Sequence, residues 1–170
     1  MASLMDDFME VLEEENREYE RLTELSYEKR KVIIDGNIPA LEEITGREQD
    51  ITSAIINLEK KRRKVVRDMS IVLSKEPEEL TVTNMIAFLN KQPNEQQKLI
   101  ELKEKIRDTL DKMANINEQN EVLLGHAIEM VEFDLTLYKS MHQAPVTANY
   151  DRQANNTGTL LGNGGFDTKQ

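Results

Sequence analysis

Two histidines, His126 and His142, are the residues of this sequence best suited to proton or phosphoryl transfer. A phosphoryl-accepting histidine on a helical bundle sits in a His-x-x-Lys-Gly context, whereas this chain reads His126-Ala127-Ile128-Glu129-Met130, without the lysine or the glycine. A helix-borne zinc site needs two histidines on one face, as in His-Glu-x-x-His, and His126 and His142 are too far apart for that. The abundant glutamates could build a di-iron site only with Glu-x-x-His on facing helices, and that motif is missing. No phosphate-binding glycine loop and no nucleophile–base pair can be nominated. The sequence therefore predicts no enzyme, no cofactor and no metal.

Asn117 and Asn120 carry a different kind of chemistry. Three residues apart, they share one helix face. A buried amide is costly unless its hydrogen bonds are made, so such residues fix helix register or partner choice. Both readings stand at this level: a register pin inside a bundle, or a polar anchor at a binding groove.

The elements that position these residues follow from the apolar pattern. Aromatics make up 5% of the chain and charged residues 32%, which suits thin apolar seams between solvated helix faces better than a compact enzyme core. The chain has no cysteine, so it makes no disulfide, and this fits a reducing cytoplasm. Its start, MASLMDDFMEVLEEE, lacks the basic and apolar regions of a secretory signal, and no window approaches a spanning helix. A net charge of −10 disfavours a phosphate backbone as main partner. The expectation is a cytoplasmic protein, with neither nucleic-acid binding nor membrane insertion.

The periodicity predicts an all-α fold: an elongated antiparallel helical bundle with coiled-coil-like packing, three long helices and one short one. The helices fall at about 3–34, 38–74, 83–90 and 94–142, making one bundle over 1–142. Ser3 is the expected N-cap of the first helix. Gly36 suits the position just past its end, and Asn37 can cap the second helix, with Pro39 in its first turn. Leu41, Ile44, Glu48, Ile51, Ile55, Leu58, Arg62, Val65, Met69 and Val72 alternate by three and four, a heptad seam interrupted by two charges. Thr81 or Thr83 caps the short helix. The last helix repeats the alternation with Leu99, Leu102, Ile106, Met113, Ile116, Leu123, Ala127, Met130, Leu137 and Met141, broken at Thr109, Asn120 and Asp134. From Gln143 onward Gly, Asn and Thr dominate, and 143–170 is expected to be a flexible tail.

A tight turn at Gly36 makes the first two helices antiparallel, with opposing residue numbers expected to total about 72. Asp6, Asp7, Glu10, Glu13 and Glu14 should then face Lys60, Lys61, Arg63, Lys64 and Arg67, with Arg62 opposite Glu10. The basic run EKKRRKVVR could also be read as a nucleic-acid or membrane patch. In an acidic protein, a solvated face paired with its neighbour is the simpler reading.

The last helix outruns its predicted partners by about 18 Å or more. Its C-terminal part also carries a second apolar row. Leu123, Leu124, Ile128, Met130, Val131, Leu135, Tyr138 and Met141 would form an uncovered stripe suited to a second copy of the chain or another amphipathic helix, unless the short helix at 83–90 folds over it.

The residues also resemble a family, the FlgN-type flagellar export chaperones. The resemblance runs through Glu15-Asn16-Arg17-Glu18-Tyr19-Glu20-Arg21-Leu22, Glu28-Lys29-Arg30, Asp35-Gly36-Asn37, Leu41-Glu42-Glu43-Ile44, Glu48-Gln49 and Leu58-Glu59-Lys60-Lys61-Arg62. It ends in Asn117-Glu118-Gln119-Asn120-Glu121-Val122-Leu123-Leu124, whose Asn-x-x-Asn-x-x-Leu-Leu element is the most specific part. The resemblance implies binding of the disordered terminal helix of the hook–filament junction proteins FlgK and FlgL. It also implies delivery of those clients to the flagellar type III export gate, with client contact toward the last helix. On that basis the client-binding residues are Asn117, Asn120, Leu123, Leu124, Ala127, Ile128, Met130, Val131, Leu135 and Tyr138, and Tyr150 resembles a gate-docking tyrosine. Two other readings remain: a self-associating structural coiled coil that forms a homodimer, and a sister chaperone for flagellin or the filament cap.

Overall fold

The computed structural model of the chain describes residues 2–143. Four helices account for most of them: α1 (Ala2–Asp35), α2 (Ile38–Leu73), α3 (Val82–Phe88) and α4 (Pro93–His142). Single 3-10 turns at Pro77–Glu79 and Leu89–Lys91 flank α3. No strand occurs among the described residues. Two compact units divide the chain at Ala127 and Ile128.

In the first unit α1 and α2 form an antiparallel hairpin whose turn uses two residues. Gly36 has φ +64, its N–H donates to the Ile33 carbonyl at 3.1 Å, and the Asn37 N–H donates to the Val32 carbonyl at 3.2 Å. This closes α1 by satisfying carbonyls that the helix end would otherwise leave open. Asn37 then starts α2, its Oδ1 accepting from the Ala40 N–H at 3.1 Å, with Pro39 behind it in the first turn. α2 ends on Ser74, also at positive φ (51), a conformation that costs any residue with a Cβ.

Two element boundaries differ from the periodicity reading, and a third selects between its alternatives. α1 begins at Ala2, so Ser3 lies inside the helix rather than capping it. Thr81 is the cap of α3, accepting from the Asn84 N–H at 3.2 Å. Pro93 opens α4, because a first-turn residue needs no N–H.

The register of the hairpin also differs from the expected one. Lys61 pairs with Glu14 at 3.2 Å, Arg62 with Glu15 at 3.3 Å, Lys29 with Glu48 at 2.9 Å and Arg47 with Glu28 at 2.9 Å. These partners' numbers total 75 or 77, not 72, and Arg62 meets Glu15 rather than Glu10. Helical side chains lean toward their own N-terminus by about one position, and in an antiparallel pair the two leans add. This lean accounts for about two of the three to five positions of displacement. Of the five acids expected to face the basic run, Glu14 makes an ion pair across the hairpin, with Lys61, while Glu13 pairs with Arg17 on its own helix. Glu48 and Arg62, the two charges in the α2 seam, are both partners in these ion pairs.

Two apolar clusters fill this unit. One joins Met5, Phe8 and Leu12 of α1, Val65 and Met69 of α2, Leu80, Met85 and Leu89 of the α3 region, and Leu99 and Leu102 of α4. The other joins Leu25 of α1 to Ile44, Ile51 and Ile55 of α2. α3 thus covers the start of α4, with Met85 fully buried.

The glycines give a direct check on the backbone. Gly36→Ala should destabilise the fold by about 1–2 kcal/mol, because it forces a Cβ into the left-handed region. Gly46→Ala, inside α2 with nothing within 4 Å of the new methyl, should stabilise it by up to about 1 kcal/mol. Thermal denaturation of the two variants should move in opposite directions.

Candidate functional site

The seam of α4 proves continuous once its polar residues are counted. Leu99, Leu102, Thr109, Ile116 and Asn120 are buried, with Ile106 and Met113 half-buried between them. Thr109 and Asn120, which break the apolar alternation in the sequence, are core positions. Thr109 tolerates burial by turning its hydroxyl back onto the Lys105 carbonyl at 3.0 Å.

Asn120 is 4% exposed and reaches across to α1, its Nδ2 donating to the Ser26 carbonyl at 2.8 Å. The Ser26 hydroxyl shares its one proton between the Leu22 carbonyl at 2.9 Å and Asn117 Oδ1 at 3.0 Å, and Arg30 donates to Gln119 Oε1 at 3.1 Å. Through these bonds the asparagine pair ties α4 to α1 in one register, with Asn120 buried and Asn117 exposed. Asn120 Oδ1 finds no hydrogen-bond partner, and neither does Asn16 Oδ1 of α1.

Glu15, also buried on α1, completes a polar stretch in the core. Its Oε1 meets Arg62 Nε at 3.3 Å without an aligned hydrogen bond. Burial pushes the Glu15 carboxyl above its usual value of 4.5, Arg62 opposes this, and Glu59 adds to it.

Of the other expected contact residues, Leu123, Leu124 and Ala127 are half-buried in the first unit. In the second unit Ile128, Met130, Val131, Leu135 and Tyr138 are all more than half exposed, together with Met141 at 69% and Leu137 at 48%. Ile128, Val131, Leu135 and Tyr138 follow each other by three and four residues, as do Leu137 and Met141, so two apolar rows run side by side. Phe133, exposed at 67% and not named in the sequence reading, flanks the second row, three residues after Met130 and four before Leu137. An unbroken helix with its apolar side in solvent is suited to receiving another helix. Tyr150 lies outside the described residues.

His142 lies against Tyr138, ring centroids 4.0 Å apart, with Nδ1 3.0 Å from the Tyr138 carbonyl. No group of three or more potential metal ligands converges among the described residues. A cleft of 590 Å³ between α1 and α4 is lined by acids and bases alike, including Glu10, Glu13, Arg17, Lys98 and Lys105, a solvated mixture rather than an activated set. No described helix is long and apolar enough to cross a membrane.

Two substitutions test the buried polar stretch. Asn120→Ala should cost about 1–2 kcal/mol by removing the bond to Ser26, read by chemical denaturation. Glu15 has a raised pKa in the fold, so the native state holds its proton more tightly than the unfolded chain does. Its favourable contribution is complete below the usual glutamate value and is lost as pH rises through the raised native value. Glu15→Gln should therefore melt higher than the parent at neutral pH, and the gap should shrink in acid. A gap that is flat with pH would show that Glu15 is not desolvated.

No curated protein and no solved structure matches the chain. The family model described as FlgN protein matches residues 1–158, which include all four helices. The chain therefore belongs to the FlgN family, whose members are flagellar export chaperones rather than enzymes.

Proposed function

We propose that this protein is a cytoplasmic chaperone of the hook–filament junction proteins FlgK and FlgL, binding their disordered terminal helix on α4. The observation that carries this reading is the exposed apolar surface of residues 128–141, with Ile128, Val131, Leu135 and Tyr138 in one row. Leu123, Leu124 and Ala127 belong to the same proposed client segment. Asn117 and Asn120 contribute indirectly, by fixing the helix that presents it. Occupying this surface would keep the client from assembling early. The chaperone would then hand it to the export gate, with Tyr150 as the proposed gate contact.

A client that must be released calls for a modest interface. Each apolar side chain fully buried contributes about 1.5–3 kcal/mol. Ordering a disordered client helix offsets part of that gain. Met130 and Met141 add side chains that adapt to more than one partner shape.

A second reading has support from the same surface: two copies of the chain could cover each other's exposed rows. A sister chaperone for flagellin or the filament cap would use similar physics with another client helix. Calorimetric titration with C-terminal peptides of a FlgK-type protein, a flagellin and a cap protein separates these. The FlgK-type peptide should bind with a Kd on the order of micromolar, about −8 kcal/mol. Ile128→Asp with Val131→Asp should weaken it at least tenfold without lowering the melting temperature, since both side chains are exposed. No binding by a folded, monomeric chain would rule out the client reading, and a preference for another peptide would reassign the client.

A further inference from the structure

The apolar surface of residues 128–141 has a carboxylate in its middle. Asp134 stands between the two apolar rows, with Met130, Val131, Leu137 and Tyr138 as its neighbours three and four residues away on the helix. The remaining polar residues of this segment (Glu129, Glu132, Thr136, Lys139 and Ser140) gather on the other side of the helix by the same spacing. Asp134 is the exception to that segregation. It makes no hydrogen bond or ion pair among the described residues. While the surface is open this costs nothing, because water solvates the carboxylate. A partner helix laid over the rows removes that water, and an ionised group so covered is tolerated only with an opposite charge or hydrogen-bond donors.

We infer that Asp134 sets the partner specificity of this surface, selecting a helix that carries a lysine or arginine among its apolar positions and barring a second copy of the chain. The selection follows from desolvation and from local charge: Glu129, Glu132 and Asp134 against Lys139 leave the segment net negative. The exclusion follows from symmetry. Residues 128–141 are centred beside Asp134. A parallel pair in register sets Asp134 against Asp134, and a two-fold antiparallel pair at full overlap does nearly the same. Either arrangement buries two like charges together at the centre of the contact. A foreign helix with a cation there gains what a second copy loses, which is how one repulsive element yields specificity.

The cation arm of this inference rests on the client reading above, and the self-pairing arm does not. The full-length chain would be titrated with two versions of a FlgK-type C-terminal peptide that differ only at the centre of the apolar face, lysine in one and glutamate in the other. The parent should prefer the lysine peptide at least tenfold, and Asp134→Lys should reverse the order. In parallel, sedimentation velocity should find the parent monomeric at concentrations where Asp134→Leu dimerises. Asp134 is on a solvated helix, so neither variant threatens the fold. Equal binding of the two peptides would overturn the selection, and an Asp134→Leu chain as monomeric as the parent would overturn the exclusion. If neither peptide binds the parent, the client reading falls and the cation arm falls with it, while the sedimentation result still decides whether Asp134 guards against self-pairing.

Discussion

Burying an amide commits a helix to one position. Asn120 lies in the seam of α4, where a one-turn slip would still match apolar side chains to apolar side chains but would take its Nδ2 away from the Ser26 carbonyl. An unpaired buried polar group costs about 1–3 kcal/mol, enough to reject the slipped registers. Ser26 is itself fixed, because it belongs to the hairpin whose turn is set by Gly36 and Asn37. The order of dependence runs from turn to hairpin to α4, and the placement of every α4 residue in the first unit follows from it.

The core of that unit is divided. An apolar cluster that includes α3 and the start of α4 lies at one end of the hairpin, and a second cluster built from α1 and α2 lies toward the turn. Glu15, Asn16, Thr23, Ser26, Ser70, Thr109 and Asn120 supply polar groups to the interior, and Glu15, Asn16 and Asn120 each keep an oxygen without a hydrogen bond among the described residues. Apolar residues of the same volume would pack with more stability but with less register, because leucine meets leucine equally well one turn away. Stability is given up at the polar residues, and a single alignment is gained.

Chaperoning places opposite demands on the two units. The first must be well ordered, so it buries its seam and pairs its charges. On the proposed client reading, the second leaves an apolar surface in water until a client arrives. Exposed apolar surface attracts any apolar partner, a second copy included, so the surface needs an element that discriminates. A lone carboxylate between two apolar rows does this at no cost to the free protein, since it is desolvated only when something covers it.

Much of this was legible from the sequence, because the physics involved is local. Helix content, the Gly36–Asn37 turn and the three-four seams depend on residues a few positions apart. So does the apolar character of residues 128–141 of α4, whose large side chains are exposed. Other features needed the tertiary structure. The sequence put Arg62 opposite Glu10, and the observed partner is Glu15; side-chain lean displaces both helices of an antiparallel pair in that direction, by about one position each, and no single-helix pattern contains the rest of the offset. It left Asn117 and Asn120 between register pin and binding groove, and their bonds to Ser26, more than ninety residues away in the chain, are seen only once the helices meet. It treated Thr109 and Asn120 as breaks in a seam that turns out to run through them. A sequence determines which faces are apolar; which polar residues may join them depends on whether a distant backbone supplies the missing hydrogen bond, and that is decided only when the helices meet.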